Sequence, residues 1–243
     1  MELAETKWYS SWFDTPYYHI LYKERGKEEA QDFMKHLVQF LQLPEGSSIL
    51  DLACGKGRHS VFLNQLGYRV TGVDLSENSI RFAQQFENED LQFFTHCMCS
   101  PVGMKFDAVF NLFTSLGYFE NEKENLQSIC AIKEELKPGG FGVIDFMNVR
   151  KVVENLIPSE VKTVKDINFH ITRSLTNGHI LKDIAFEDEG KEYTYTEKVK
   201  ALTLDCFETY FTKAGLELQH VFGNYELEPY DEETSDRLIL IVK

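Results

Sequence analysis

Two carboxylates and two glycines in the first third of the chain have the types and spacing of a ligand site. Residues 49–60 read ILDLACGKGRHS: an apolar run carries Asp51, and Gly55 and Gly57 follow. Glycines at such a turn leave backbone that a ligand can approach without a Cβ in the way, and the helix that follows begins with free amides. Asp74 closes the next apolar run, YRVTGVD, at about the 20-residue interval where an acid accepts hydrogen bonds from ribose hydroxyls. The pattern asks for a ligand containing a nucleoside. Asp51 adds a condition, because the group that meets it should not be an anion.

Two ligand classes compete for such a turn. A nicotinamide dinucleotide needs Gly-x-Gly-x-x-Gly, with the last glycine packing helix against strand. Here the stretch is Gly55-Lys56-Gly57-Arg58-His59-Ser60, so the third glycine is missing, and a pyrophosphate would face Asp51. S-adenosylmethionine carries no phosphate and presents an α-ammonium group, which suits Asp51. The sequence thus favours that ligand, and with it methyl transfer; the alternatives are a non-catalytic S-adenosylmethionine-binding protein and, further off, a nicotinamide-dependent oxidoreductase.

The elements that must hold these residues alternate. SILDLA, YRVTGVDLS, LQFFTHC, FDAVFNLF and FGVIDFMN are apolar runs of strand length, separated by segments of helical period such as HSVFLNQLG and ENSIRFAQQFE. Buried strands joined by helices build a parallel sheet covered on both faces, and right-handed crossovers leave a doubly wound layout. The expected fold is α/β, with a mostly parallel seven-stranded Rossmann-like sheet completed by LELQHVFGNYE and RLILIV near the end of the chain. Between strands five and six the rhythm breaks. NFHITRSLT, HILKDIAFED and KEYTYTEKVKAL lack helical period, and Asn177–Gly178 and Glu189–Gly190 mark reversals between them. They predict a small three-stranded antiparallel insert resting on the main sheet. The chain divides, within one domain spanning 1–243, into an aromatic helical arm at 1–43, a cofactor-binding core at 44–150, the insert at 161–202, and a closing helix and strands at 203–243.

Composition narrows the function classes. The formal net charge of −14 argues against a protein that grips nucleic acid over a broad surface, since that affinity comes largely from Lys and Arg. The segment MELAETKWYSSWFD has no basic stretch followed by an apolar one, as a secretory signal would. No apolar run approaches the ~20 residues that span a bilayer. Five cysteines without paired spacing fit a reducing, cytoplasmic setting. Cys97 and Cys99 stand too close for a zinc knuckle and are expected to be plain thiols, with no metal bound.

ILDLACGKGRHS, VTGVDLS, FDAVFNLFTSLGYF and LKPGGFGVIDFMN resemble the consecutive motifs of the class I S-adenosylmethionine-dependent methyltransferases. The aromatic YYHILYKERGKEEA, the insert after strand five and the ending VFGNYELEPYDEETSDRLILIVK are similar to a subgroup of small bacterial enzymes of that family. The resemblance implies positions. Asp51 would hold the methionine amine, and Ala53, Cys54, Gly55 and Gly57 would line the methionine and ribose by backbone, Ala53 keeping a negative φ where the family has glycine. Asp74 would take the ribose hydroxyls, with Leu75 under the adenine and Met98 against it. Asn111 would sit near the methionine moiety. Cys97 stands where the family commonly has an acid for the adenine amino group, and a thiol is a poor acceptor.

Methyl transfer from a sulfonium is an in-line displacement, helped mainly by proximity and alignment. It requires no fixed catalytic motif. His59 and Tyr118 are the candidates for a base or an acceptor contact, each weighed against a packing role, and His96 is similar. On the arm, Tyr18 and Tyr22 are candidates to close over the cofactor, and Arg25 to pair with its carboxylate. Arg58 is a candidate for the same pairing or to face an acidic substrate, and Asn148, Arg150 and Arg237 are lesser candidates. The methyl acceptor is expected to be a small molecule rather than nucleic acid or a membrane surface. Oligomeric state is not legible.

Overall fold

The structure is a computed structural model that describes residues 12–22, 26–119 and 121–243. Helix α1 (Pro16–Leu21) begins where the Thr15 hydroxyl accepts from the Tyr18 amide and Pro16 needs no donor partner. Helix α2 (Lys27–Phe40) buries Ala30, Phe33, Met34, Leu37 and Val38, the stripe its sequence period prescribes.

The alternation then runs β1 (Ser48–Leu52), α3 (Arg58–Gln65), β2 (Arg69–Asp74), α4 (Glu77–Ala83), β3 (Leu91–Thr95), β4 (Phe106–Asn111), α5 (Glu122–Glu135) and β5 (Leu136–Met147). After α6 (Val149–Glu154) come β6 (Ser159–Val164), β7 (Ile167–Thr176), β8 (His179–Asp188) and β9 (Lys191–Lys200). Helix α7 (Leu204–Ala214) ends at Gly215, whose φ of 69° places it in the left-handed region that closes helices. Strands β10 (Leu218–Phe222) and β11 (Arg237–Val242) finish the chain.

Seven strands form one sheet in the order β10-β11-β5-β4-β1-β2-β3. Strands β1 to β5 pair in parallel, and β11 lies antiparallel to both β5 and β10. Successive residues point to opposite faces, so Ile49, Ile239 and Ile241 join α2 and α3 in one core, while Leu50, Leu238 and Leu240 join α5 and α7 in the other. Strand order reverses between β1 and β4, which leaves a crevice beyond their carboxyl ends. The fold is the expected α/β one.

The insert differs from expectation. It is a separate four-stranded sheet, β6-β7-β8-β9, that begins at Ser159. The turn from β6 to β7 is made by Lys165 and Asp166, at φ of 50° and 65°. A hairpin of that conformation normally announces itself by glycine, and here none is present. This sheet carries the arm on one face: Trp12 and Leu21 are buried with Ile167, Phe169, Ile171, Ile184 and Phe186. Among the described residues no helix is long and apolar enough to cross a membrane.

Candidate active site

The carboxyl ends of β1, β2 and β4 open onto a cavity of about 400 Å³, within the range of small-molecule sites. Asp51 ends up on its wall while only 3% exposed. The Ser60 hydroxyl, one turn into α3, donates to Asp51 Oδ2 at 2.6 Å. Burial, only partly offset by that bond, pushes the Asp51 carboxyl up to about 7, and Asp74 adds to the shift.

Asp74 organises the turn around itself. Its two oxygens accept from the Gly55 amide at 2.9 Å and the Ser76 amide at 2.8 Å. Burial raises its pKa and these bonds oppose the shift. Gly55 faces the cavity, and a Cβ placed there would meet nothing within 4 Å. Gly57 does not line the cavity. Its missing Cβ makes room for the Phe93 ring, which would lie 2.6 Å away, so the second glycine packs α3 against β3. Ala53 adopts φ of 62° and not the negative value expected. It holds a left-handed conformation that a Cβ disfavours.

Ala53, Cys54, Leu75, His96, Cys97 and Met98 also line the cavity. The sulfurs of Cys97 and Cys99 are paired, contrary to the reading of plain thiols. The Ser100 amide donates to the Cys97 carbonyl at 3.1 Å, and the Cα atoms of Cys97 and Cys99 lie 5.3 Å apart, within the span a disulfide bridges. His96 Nε2 bonds the Ser100 carbonyl at 2.8 Å. Asn111 lies beneath the lining, 1% exposed, its Nδ2 donating to the Leu52 carbonyl at 3.2 Å. Its Oδ1 is buried without a hydrogen-bond partner among the described residues, and Asn111 is not one of the residues that line the cavity.

The far wall comes from the segment after β4. Phe113 and Thr114 both take φ near 60°, unusual for non-glycine residues and costly for a β-branched one. Asp145 on β5 holds them there, since its Oδ2 accepts the Phe113 amide at 2.8 Å and its carbonyl the Thr114 amide at 3.0 Å. Arg237 completes the clamp, with Nε 2.8 Å from Asp145 Oδ1 and NH2 3.0 Å from Thr114 Oγ1. Against the cost of burial, the charge of Asp145 keeps Arg237 protonated. Arg237 thus positions the wall instead of lining it.

His59 stacks on Phe113, centroids 4.5 Å apart. The Arg58 Nε donates to His59 Nε2 at 2.8 Å. Burial, then the Arg58 charge, pushes the imidazole down to about 3. It is neutral, but its Nε2 lone pair is already engaged. Tyr118 lines the cavity beside Phe13, 5.5 Å between centroids. Tyr18 and Tyr22 line it from the arm, and Arg25 lies outside the described residues. Asn148 and Arg150 sit elsewhere: Asn148 Nδ2 donates to the Glu232 and Ser235 carbonyls, and Arg150 pairs with Glu154, Glu232 and Glu233. Sequence reasoning passed over Phe13, His19, Lys56, Ser79, Phe113 and Ser115, all of which line the cavity. The only signal for the last two was their place in the run FDAVFNLFTSLGYF.

A family model described as a methyltransferase domain matches residues 49–140, the stretch that supplies most of this cavity. The chain carries a methyltransferase domain and is an S-adenosylmethionine-dependent methyltransferase. This methyltransferase is 27% identical to a putative methyltransferase, YqeM, of Bacillus subtilis over 77% of its own length and 81% of the relative's. It is 28% identical to the dTDP-3-amino-3,4,6-trideoxy-α-D-glucopyranose N,N-dimethyltransferase of Streptomyces venezuelae, covering 85% and 91% of the two chains. Its fold matches the crystal structure of an S-adenosylmethionine-dependent methyltransferase from Clostridium acetobutylicum with a TM-score of 0.79, at 18% identity over 93% and 95% of the chains. The cofactor of the methyltransferase is S-adenosylmethionine. Its residues fit that molecule: the carboxylates of Asp51 and Asp74 both line the cavity beside a turn whose Gly55 leaves open space.

Proposed function

We propose that the cavity holds S-adenosylmethionine between Asp51 and Asp74 and that the enzyme methylates an amine nitrogen of a small polar molecule. The observation that carries the first part is the placement of the two carboxylates. Asp51 at the end of β1 takes the α-ammonium group. Asp74 at the end of β2 takes the ribose hydroxyls while keeping its bonds to the turn. Leu75 and Met98 then flank the adenine, with Cys97 at its edge. The backbone of Ala53, Cys54 and Gly55 runs along the methionine and ribose.

S-adenosylmethionine supplies the methyl group on a sulfonium, already activated for displacement. The chain contributes alignment and the exclusion of water. Phe113, Ser115 and Tyr118 face the reacting end, and Phe13, Tyr18 and Tyr22 roof it. His59 serves there as a wall, because Arg58 occupies its Nε2. The nitrogen acceptor is supported by the relatives: besides the N,N-dimethyltransferase above, a second Streptomyces relative is named as an amino-sugar N,N-dimethyltransferase, at 24% identity over 85% of this chain. An amine that arrives unprotonated needs no base. Incubation of the purified protein with S-adenosylmethionine and panels of small amines, alcohols, carboxylates and thiols, read by mass spectrometry, tests the reading. Methyl transfer confined to amines is expected, and transfer confined to another class would displace it.

A further inference from the structure

The arm is held at two places, one on the insert and one beside the turn between β2 and α4. At the first, Glu197 of β9 gathers donors from both ends of the described arm. Trp12 Nε1 donates to its Oε1 at 2.7 Å, and the Tyr22 hydroxyl lies 2.6 and 2.8 Å from its two oxygens. Lys182 of β8 stands 3.8 Å from Glu197 Oε2 and also bonds the Tyr22 hydroxyl. The Glu197 and Lys182 side chains are only 15% and 16% exposed. At the second, the Asp14 carboxylate accepts from the Ser76 hydroxyl and from Asn78 Nδ2 at 3.1 Å, beside the turn that carries Asp74. Phe13, Tyr18 and His19, which cover the cavity, lie between the Glu197-bound residues in sequence.

Besides these, the Tyr17 hydroxyl donates to Asp188 Oδ2 at 2.9 Å and Lys162 Nζ to the Leu21 carbonyl at 3.4 Å, and many of the other contacts between arm and insert are between aromatic rings, such as Trp12 on Tyr195 at 4.5 Å. Such ring contacts favour proximity without fixing register. A carboxylate receiving several directed bonds does fix it, and charge-assisted bonds are the stronger kind. We propose that Glu197 is a positioning residue: it locks the arm across the cavity and so sets how fast S-adenosyl ligands leave. The insert is then the anchor of a strap whose other end is the Asp14 contact. This rests on the reading that the cavity holds the S-adenosyl ligand.

The test follows the release of radiolabelled S-adenosylhomocysteine from the full chain after dilution into unlabelled ligand. Glu197→Gln keeps the size but turns an amide toward the donors, and release should quicken about tenfold, the scale of one charge-assisted bond. Trp12→Phe, which removes only the Nε1 donor, should shift release in the same direction by less. Asp183→Asn, on the same sheet and bonded to Thr196, should leave release unchanged. Hydrogen exchange separates positioning from unfolding: in Glu197→Gln the amides of 12–22 should lose ligand-induced protection while those of β8 and β9 keep theirs. Wild-type binding with equal release from all variants would overturn the proposal alone. Absence of wild-type binding would overturn the cofactor-site reading and this proposal with it.

Discussion

In the proposed site, folding and ligand binding favour opposite charge states of Asp51. Burial raises its pKa to about 7, above the ordinary carboxylate value of about 3.9. The folded protein therefore holds a proton that the unfolded chain has lost, and the stability this contributes is present below about pH 4 and disappears as pH rises through about 7. Glu135, also raised to about 7 by burial, acts in the same sense. His59, lowered to about 3, acts in the opposite sense, its contribution fading as pH falls below about 6.5. Unfolding alone blurs the three, but binding separates them. An ammonium group needs Asp51 ionised, so S-adenosylhomocysteine should bind about tenfold more tightly at pH 8 than at pH 6, and Asp51→Asn should flatten that dependence. Calorimetry at the two pH values checks it, and a flat wild-type profile would count against the assignment. Ala53 yields a second expectation. Ala53→Gly relieves about 1–2 kcal/mol of left-handed strain and restores about 0.5–1 kcal/mol of unfolded-chain entropy. Urea unfolding should show a gain of about 1 kcal/mol or less, not a loss. The identities of Asp51, Gly55 and Asp74 were legible because their chemistry is local. The backbone angle of Ala53 was not, because it depends on how β1 enters the turn.

The two glycines of the β1–α3 turn do different work, although the sequence presents them alike. Gly57→Ala would drive a Cβ into the Phe93 ring and keep φ of 77°, so overpacking of about 1–3 kcal/mol adds to strain. Gly55→Ala meets open space, so its stability cost should stop at the strain while its Cβ enters the ligand's volume. Measured side by side, Gly57→Ala should lose mainly stability and Gly55→Ala mainly affinity for S-adenosylhomocysteine; equal profiles would refute the division. Strands β1 and β4 were readable as apolar runs because both their faces are buried, and the edge strand β3 was readable from its aromatic residues although one face is exposed. Strand β6 was not, since it is an edge strand with mostly exposed residues and its turn uses Lys165 and Asp166. The arm's aromatic residues were visible, but nothing local to residues 12–22 shows that one face packs on the insert and the other roofs the cavity.

At the scale of the molecule, β4, β5 and β11 are tied together under the cavity by Asp145 and Arg237. Asp145 is fully buried, and Arg237→Ala would leave that charge unpaired, a change that costs about 3–5 kcal/mol in buried pairs. Urea unfolding should show a loss of that size, and a loss under about 1 kcal/mol would mean the turn at Phe113 and Thr114 is held by other means. Arg237 looked in sequence like a minor site candidate. Its partner lies 92 residues away, and only the antiparallel pairing of β11 with β5 brings them together. The order of motifs was enough to read the sheet and the ligand, whereas the acceptor wall depends on such long-range contacts. The most direct test of the central claim is calorimetric titration of S-adenosylhomocysteine into the wild-type protein and Asp74→Ala. The account predicts one site in the wild type and binding weaker by about 1.5–3 kcal/mol in the variant, the value of charge-assisted bonds to the ribose. Equal affinity in the two proteins would contradict it.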